Sequence, residues 1–146
     1  MYESLTRLLP KFDGHEGYGE WIIDMKSKGT TDDPIQMPWV RYKENALELW
    51  QAIERFEDSH AEFDLASYRG ILEKNEIDAS QPMASIDVSE LSGEAVLALF
   101  KAVLQRERFF EGLLLECCES GCAKRWLERL RELDGKEKRD CSRSRR

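Results

Sequence analysis

With 146 residues, 41% of them apolar, the chain can build one buried core and leaves little room for a second domain. Charged residues make up 35% and the net charge is −7, so the bulk of the surface repels a phosphate backbone. No apolar run approaches the roughly 20 residues of a membrane-spanning helix, and Met1 to Lys11 lacks the apolar centre of a secretory signal.

Leu5, Leu8, Leu9 and Phe12 recur at helical spacing, and Pro10 predicts an early end to that element. Asp13 to Gly19 holds three glycines and reads as a loop containing His15. Its spacing matches neither the dinucleotide fingerprint nor the P-loop. Residues 20–28 are short and apolar at Trp21, Ile22, Ile23 and Met25, and the expectation is a helix stopped by Gly29. Gln36 to Tyr42 reads as extended around Pro38.

From Tyr42 to Glu57, Ala46, Leu49, Trp50, Ile53 and Phe56 form one stripe, with Glu44, Glu48, Gln51 and Glu54 away from it. Asp64 is placed to cap a helix to about Lys74 that buries Leu65, Tyr68 and Leu72. Between these helices, Glu57, Asp58, Glu62 and Asp64 surround His60. The cluster suits a solvated loop, with a weak cation site as the alternative. Asn75 to Ser89 is polar, contains Pro82 and predicts a loop.

Ser92 is a good helix cap. Val96, Leu97, Phe100, Val103 and Leu104 then make an amphipathic stripe. Phe110, Leu113, Leu114, Cys117 and Cys118 continue it, as one long helix or two abutting ones, up to Gly121. Trp126, Leu127, Leu130 and Leu133 define a last helix, with Gly135 placed to end it. Residues 136–146 hold six basic and two acidic residues. This segment therefore carries +4 and leaves −11 on residues 1–135. The expectation is one domain over 1–135 followed by a disordered basic tail over 136–146.

The fold class read from this pattern is all-α: an orthogonal bundle of five or six helices with one short extended segment. The chemistry it offers is sparse. If the helix ran unbroken from about 92 to 119, Arg108 would lie about 20° from Leu97, with Glu111 about 40° to its other side. Both would face the core and pair at i, i+3, either as a structural ion pair or as the lining of an anion pocket. Arg106 would face solvent. Trp39, beside Pro38, is the large aromatic most expected to be part-exposed, and such a residue can anchor a partner. The candidate ligand-binding residues are therefore Arg106, Arg108, Glu111, Trp39 and Tyr42.

Cys117, Cys118 and Cys122 are crowded on one helix, unlike the spread of a disulfide framework or the paired turns of a zinc site. Buried free thiols in a reducing cytoplasm are the simpler reading. No nucleophile–base pair, metal set or cofactor motif is legible. The functional expectation is a cytoplasmic, non-catalytic module that binds another protein or its own copy. The alternative is a small-anion or metabolite pocket, possibly enzymatic, around Arg108 and Glu111. Nucleic acid is expected only at the basic tail, which has no aromatic residue to stack on bases.

Trp21 after a Gly-rich loop, Met37-Pro38-Trp39-Val40-Arg41-Tyr42, Arg106-Glu107-Arg108-Phe109-Phe110-Glu111-Gly112 and Gly121 before a Leu-rich helix occur in that order. Together they resemble a family of uncharacterised bacterial domains of about this length, with an mPyvxY element and an RxxRFxEG-type box. The resemblance spans most of residues 5–133. The box departs from the pattern in that Arg106 precedes Arg108 by two residues instead of three. The resemblance implies a bacterial source and brings no assigned activity.

Overall fold

The computed structural model describes residues 1–13, 17–35, 37–78 and 80–144, with side chains to residue 136. The loop residues Gly14, His15 and Glu16, residue Gln36, the side chain of Cys141 and the last two residues of the basic tail lie outside the described part.

Six α-helices and one hairpin make up the regular structure of the described residues. The chain opens with α1 (Glu3–Thr6) and a 3₁₀ turn (Leu9–Phe12), which share the early apolar stripe. Leu5, Leu8, Leu9 and Phe12 are all buried. Pro10 sits in the first turn of the 3₁₀ segment, where its missing N–H is harmless.

The stretch expected to begin a helix at residue 20 is instead β1 (Gly19–Ile22), antiparallel to β2 (Trp39–Tyr42). The register pairs Gly19 with Tyr42, Glu20 with Arg41, Trp21 with Val40 and Ile22 with Trp39. A partner twenty residues away supplies the ladder, which no local periodicity reveals. The close approach needs glycine at position 19, where a Cβ would stand 2.9 Å from the Arg41 carbonyl oxygen.

Helix α2 (Glu44–Ser59) buries Ala46, Leu49, Ile53 and Phe56 as its stripe requires, with Trp50 partly buried. A 3₁₀ turn (Leu65–Ser67) leads into α3 (Tyr68–Lys74), which buries Tyr68, Ile71 and Leu72. Asp64 does not cap with its side chain. It adopts the left-handed conformation at φ 47°, and its backbone carbonyl accepts from Ser67 N–H at 2.9 Å.

Helix α4 (Gly93–Glu107) is the axis of the fold. Ser92 Oγ caps it, accepting from Ala95 N–H at 3.2 Å. Every residue from Ala95 to Phe100 and from Ala102 to Leu104 is buried, because α2, α3, α5 and α6 pack around this helix. Lys101, the one charge in that run, reaches Glu57 of α2 at 2.6 Å.

The second half of the stripe is a separate helix, α5 (Leu113–Glu119). The chain breaks at Gly112, at φ 92°. Gly121, at φ 86°, separates α5 from α6 (Cys122–Ser144), as its position predicts. Gly135 does not end α6: a glycine within a helix costs about 1 kcal/mol relative to alanine but does not forbid helix. An all-α description is thus right in bulk and incomplete in the hairpin, which leans on the α4–α5 turn.

Candidate functional site

The α4–α5 turn is organised around a carboxylate. Glu107, the last residue of α4, is only 5% exposed. Its Oε1 accepts from Tyr42 Oη at 2.5 Å and from Gly112 N–H at 3.1 Å, and its Oε2 accepts from Leu114 N–H at 2.8 Å. The Tyr42 hydroxyl in turn accepts from Leu115 N–H at 3.2 Å. Gly112, at the N-cap of α5, has no side chain with which to cap it. Side chains from the end of α4 and from β2 therefore take the donors that a helix N-terminus leaves unsatisfied. A negative charge there is also favoured by the aligned peptide dipoles. Burial, followed by the hydrogen bond and charge of Glu107, pushes the Tyr42 phenol well above its ordinary value.

The rest of the turn faces water. Phe109 and Phe110 N–H both donate to Arg106 O, at 2.9 and 2.8 Å, which reverses the chain and leaves the two rings 83% and 68% exposed. Glu111 is exposed overall, yet its Oε1 accepts from Val40 N–H at 2.8 Å. It thereby covers part of the outer edge of β2, standing in for a neighbouring strand.

Trp21 lies directly over Gly112, where a Cβ would come within 2.3 Å of its Cζ2. Trp21, Phe110, Gly112, Leu113 and Leu115 line a shallow groove of about 490 Å³, edged by Glu116 and Glu119. On the opposite face of the hairpin, the Arg41 guanidinium sits 5.8 Å from the Trp39 ring and also meets Glu20 at 3.4 Å.

The sequence-predicted residues are thus only partly brought together. Tyr42 is in the carboxylate node, and Glu111, in the α4–α5 turn, reaches Val40 of β2. Trp39 is 46% exposed, in line with its place next to Pro38. Arg108 does not point into the core: α4 ends at Glu107, Arg108 is the exposed residue after it, and no ion pair joins it to Glu111 among the described residues. The facing argument needed an unbroken helix, and Gly112 removes it. Arg106, expected in solvent, is half-buried and lines a different pocket, with Leu99, Val103 and Trp126.

The buried acid is Glu107, whose signal was its spacing. It stands three residues after Leu104, four after Val103 and seven after Phe100, on the buried face of α4.

The cysteines Cys117, Cys118 and Cys122 are free and buried. Burial holds the Cys117 thiol well above its usual value and pushes Cys118 up to about 12. No group of three potential metal-ligating side chains occurs among the described residues. His60 stacks on Phe56 at 3.9 Å between centroids, and Glu57 is engaged by Lys101.

These features define a small, mainly helical domain with an appended hairpin, in which a buried carboxylate fixes an aromatic turn. Its residues 2–136 match a family of unknown function (DUF6508), and the chain belongs to that family. Comparison with the curated proteins and with the solved structures finds no match.

Proposed function

We propose that the chain is a non-catalytic protein-binding module of a bacterial cytosol, and that its partner docks on the groove between Trp21 and Phe110. One observation carries this reading. Phe110 is left in water at the groove that Trp21 lines, with Phe109 exposed on the same turn, and Glu107 and Tyr42 hold that turn fixed. Rigid aromatic side chains lose little freedom on binding, and such residues dominate interface energetics. A net charge of −7 disfavours a second copy as the occupant and favours a neutral or basic partner, since like-charged bodies repel. Three free thiols suit a reducing compartment.

A photo-crosslinking residue in place of Phe110 tests the proposal. The expected outcome is a specific adduct in cells of the source organism. The purified partner should then bind the wild-type chain saturably and lose at least tenfold in affinity against Phe109→Ser/Phe110→Ser. A partner that binds this folded variant as tightly as wild type rules the groove out.

A small-anion site around Arg108 and Glu111 has less in its favour. The Glu111 carboxylate is committed to Val40, and Arg108 stands in bulk solvent, where a guanidinium alone holds an anion weakly.

A further inference from the structure

The Trp21–Phe110 groove is acidic as well as aromatic. Of the residues lining it, Glu111, Glu116 and Glu119 are acidic and none is basic. Glu111 is committed to Val40 N–H. Glu116 and Glu119 are exposed, and neither enters an ion pair among the described residues. They stand three residues apart on α5 and so share one face of that helix. The opposite face of the hairpin shows how this chain satisfies the same set of groups. There the Arg41 guanidinium lies 5.8 Å from the Trp39 ring, and Glu20 meets it at 3.4 Å. Trp21, 46% exposed, shares its groove with carboxylates, yet no cation of its own chain lies over its ring among the described residues. A cation in this groove therefore comes from another molecule.

We infer that the groove seats an arginine side chain of a partner protein, its guanidinium flat against the Trp21 indole and its charge met by Glu116 and Glu119. The assignment rests on the groove being the docking site proposed above. An indole is the aromatic ring that attracts a cation most strongly, and a guanidinium adds planar stacking and paired donors that match carboxylates. Arginine is also more weakly hydrated than lysine and gives up its water more readily. Glu116 and Glu119 repel each other across one helical turn, and a cation between them relieves that repulsion. Phe110, 68% exposed, supplies an apolar wall for the arginine's methylene stem.

Titration of a nitrogen-15-labelled chain with three capped pentapeptides tests the inference, read at the Trp21 indole cross-peak. The peptides carry arginine, citrulline or glutamate at the centre, with leucine on either side and alanine at the ends. The arginine peptide is expected to move that resonance saturably and to bind about tenfold more tightly than its citrulline counterpart, as one exposed cation–π contact and two exposed ion pairs together allow. Glu116→Gln/Glu119→Gln alters two exposed side chains, keeps the fold and should erase the preference. Added salt should shrink it as well, since both carboxylates face water. Equal binding of the arginine and citrulline peptides, tighter binding of the glutamate peptide, or a Trp21 indole unmoved by the arginine peptide would each overturn the inference. Dimerisation abolished both by Glu116→Gln/Glu119→Gln and by ending the chain at Lys136 would give the groove to a second copy's basic tail and overturn it too. The two proposals fail separately. A captured partner that is lost with Phe109→Ser/Phe110→Ser, yet binds Glu116→Gln/Glu119→Gln as tightly as wild type, keeps the groove and removes the arginine.

Discussion

At the scale of single residues, a buried carboxylate is stable only if its surroundings replace the water it lost. Glu107 has three donors, two of them backbone N–H groups at the start of α5, and the third is the Tyr42 hydroxyl. Removing the acid strands all three. Glu107→Ala is therefore expected to cost about 2–4 kcal/mol in urea unfolding, more than a neutral hydrogen bond is worth. Tyr42→Phe leaves two donors in place and should cost about 2 kcal/mol.

The phenol also gives a pH signature. Burial and Glu107 raise its pKa in the folded chain, so its contribution to stability is complete below the ordinary tyrosine value of about 10. That contribution is lost as pH rises beyond this value, because the unfolded chain then releases a proton that the folded chain keeps. The buried thiols Cys117 and Cys118 act in the same direction and are common to both proteins. Stability measured from pH 8 to 11 should thus fall more steeply for wild type than for Tyr42→Phe. Parallel curves would show that the phenol is not held by Glu107.

At the scale of elements, two glycines divide the second half of the chain, and their surroundings differ. Both have positive φ, which costs an L-residue about 1–2 kcal/mol. A Cβ at Gly121 meets nothing within 4 Å, whereas one at Gly112 would run into the Trp21 ring. Gly121→Ala is expected to lose only the backbone amount. Gly112→Ala should lose clearly more, and part of the excess should return in a Trp21→Ala background, as a double-mutant cycle would show.

The same contrast explains what could be read from the chain alone. Helices α2 and α4 are long enough for their stripes to speak, and Ser92 and Gly121 behave as their chemistry dictates. The hairpin is four residues a side, and its partner lies across a loop. Nothing near Trp21 distinguishes a short strand from a helical turn. The break at Gly112 was equally concealed, because Leu113, Leu114, Cys117 and Cys118 keep the period of the helix before it. An unbroken period therefore points to Glu111 as the inward acid, whereas the buried one is Glu107.

At the scale of the whole molecule, the beginning of the chain is fastened to its last helix. Asp134 of α6 is 6% exposed, and its carboxylate accepts from Tyr2 N–H at 2.9 Å and from the Met1 ammonium at 3.0 Å. Tyr2 then stacks on Phe56 of α2 at 5.8 Å and lies so close over Gly93 that a Cβ there would meet its hydroxyl. One carboxylate thus links α6 to the N-terminal segment, and that segment bears on α2 and on the first turn of α4.

The family match over residues 2–136 brackets this closure, beginning at Tyr2 and ending two residues beyond Asp134. If that closure sets the domain, a chain ending at Lys136 keeps the Asp134 contacts to Met1 and Tyr2 that fasten the N-terminal segment. Its stability should lie within about 0.5 kcal/mol of the full chain, as surface changes usually do. Asp134→Ala in the full chain leaves a buried backbone donor unpaired and should cost about 1–3 kcal/mol. Hydrogen exchange should then quicken first in residues 3–12, before α2 or α4 loosens, because that segment opens as a unit once its tie is cut. Uniform acceleration across the chain would place the effect in the packing of α6 instead. Marked destabilisation of the chain ending at Lys136 would extend the domain beyond the point where these contacts close.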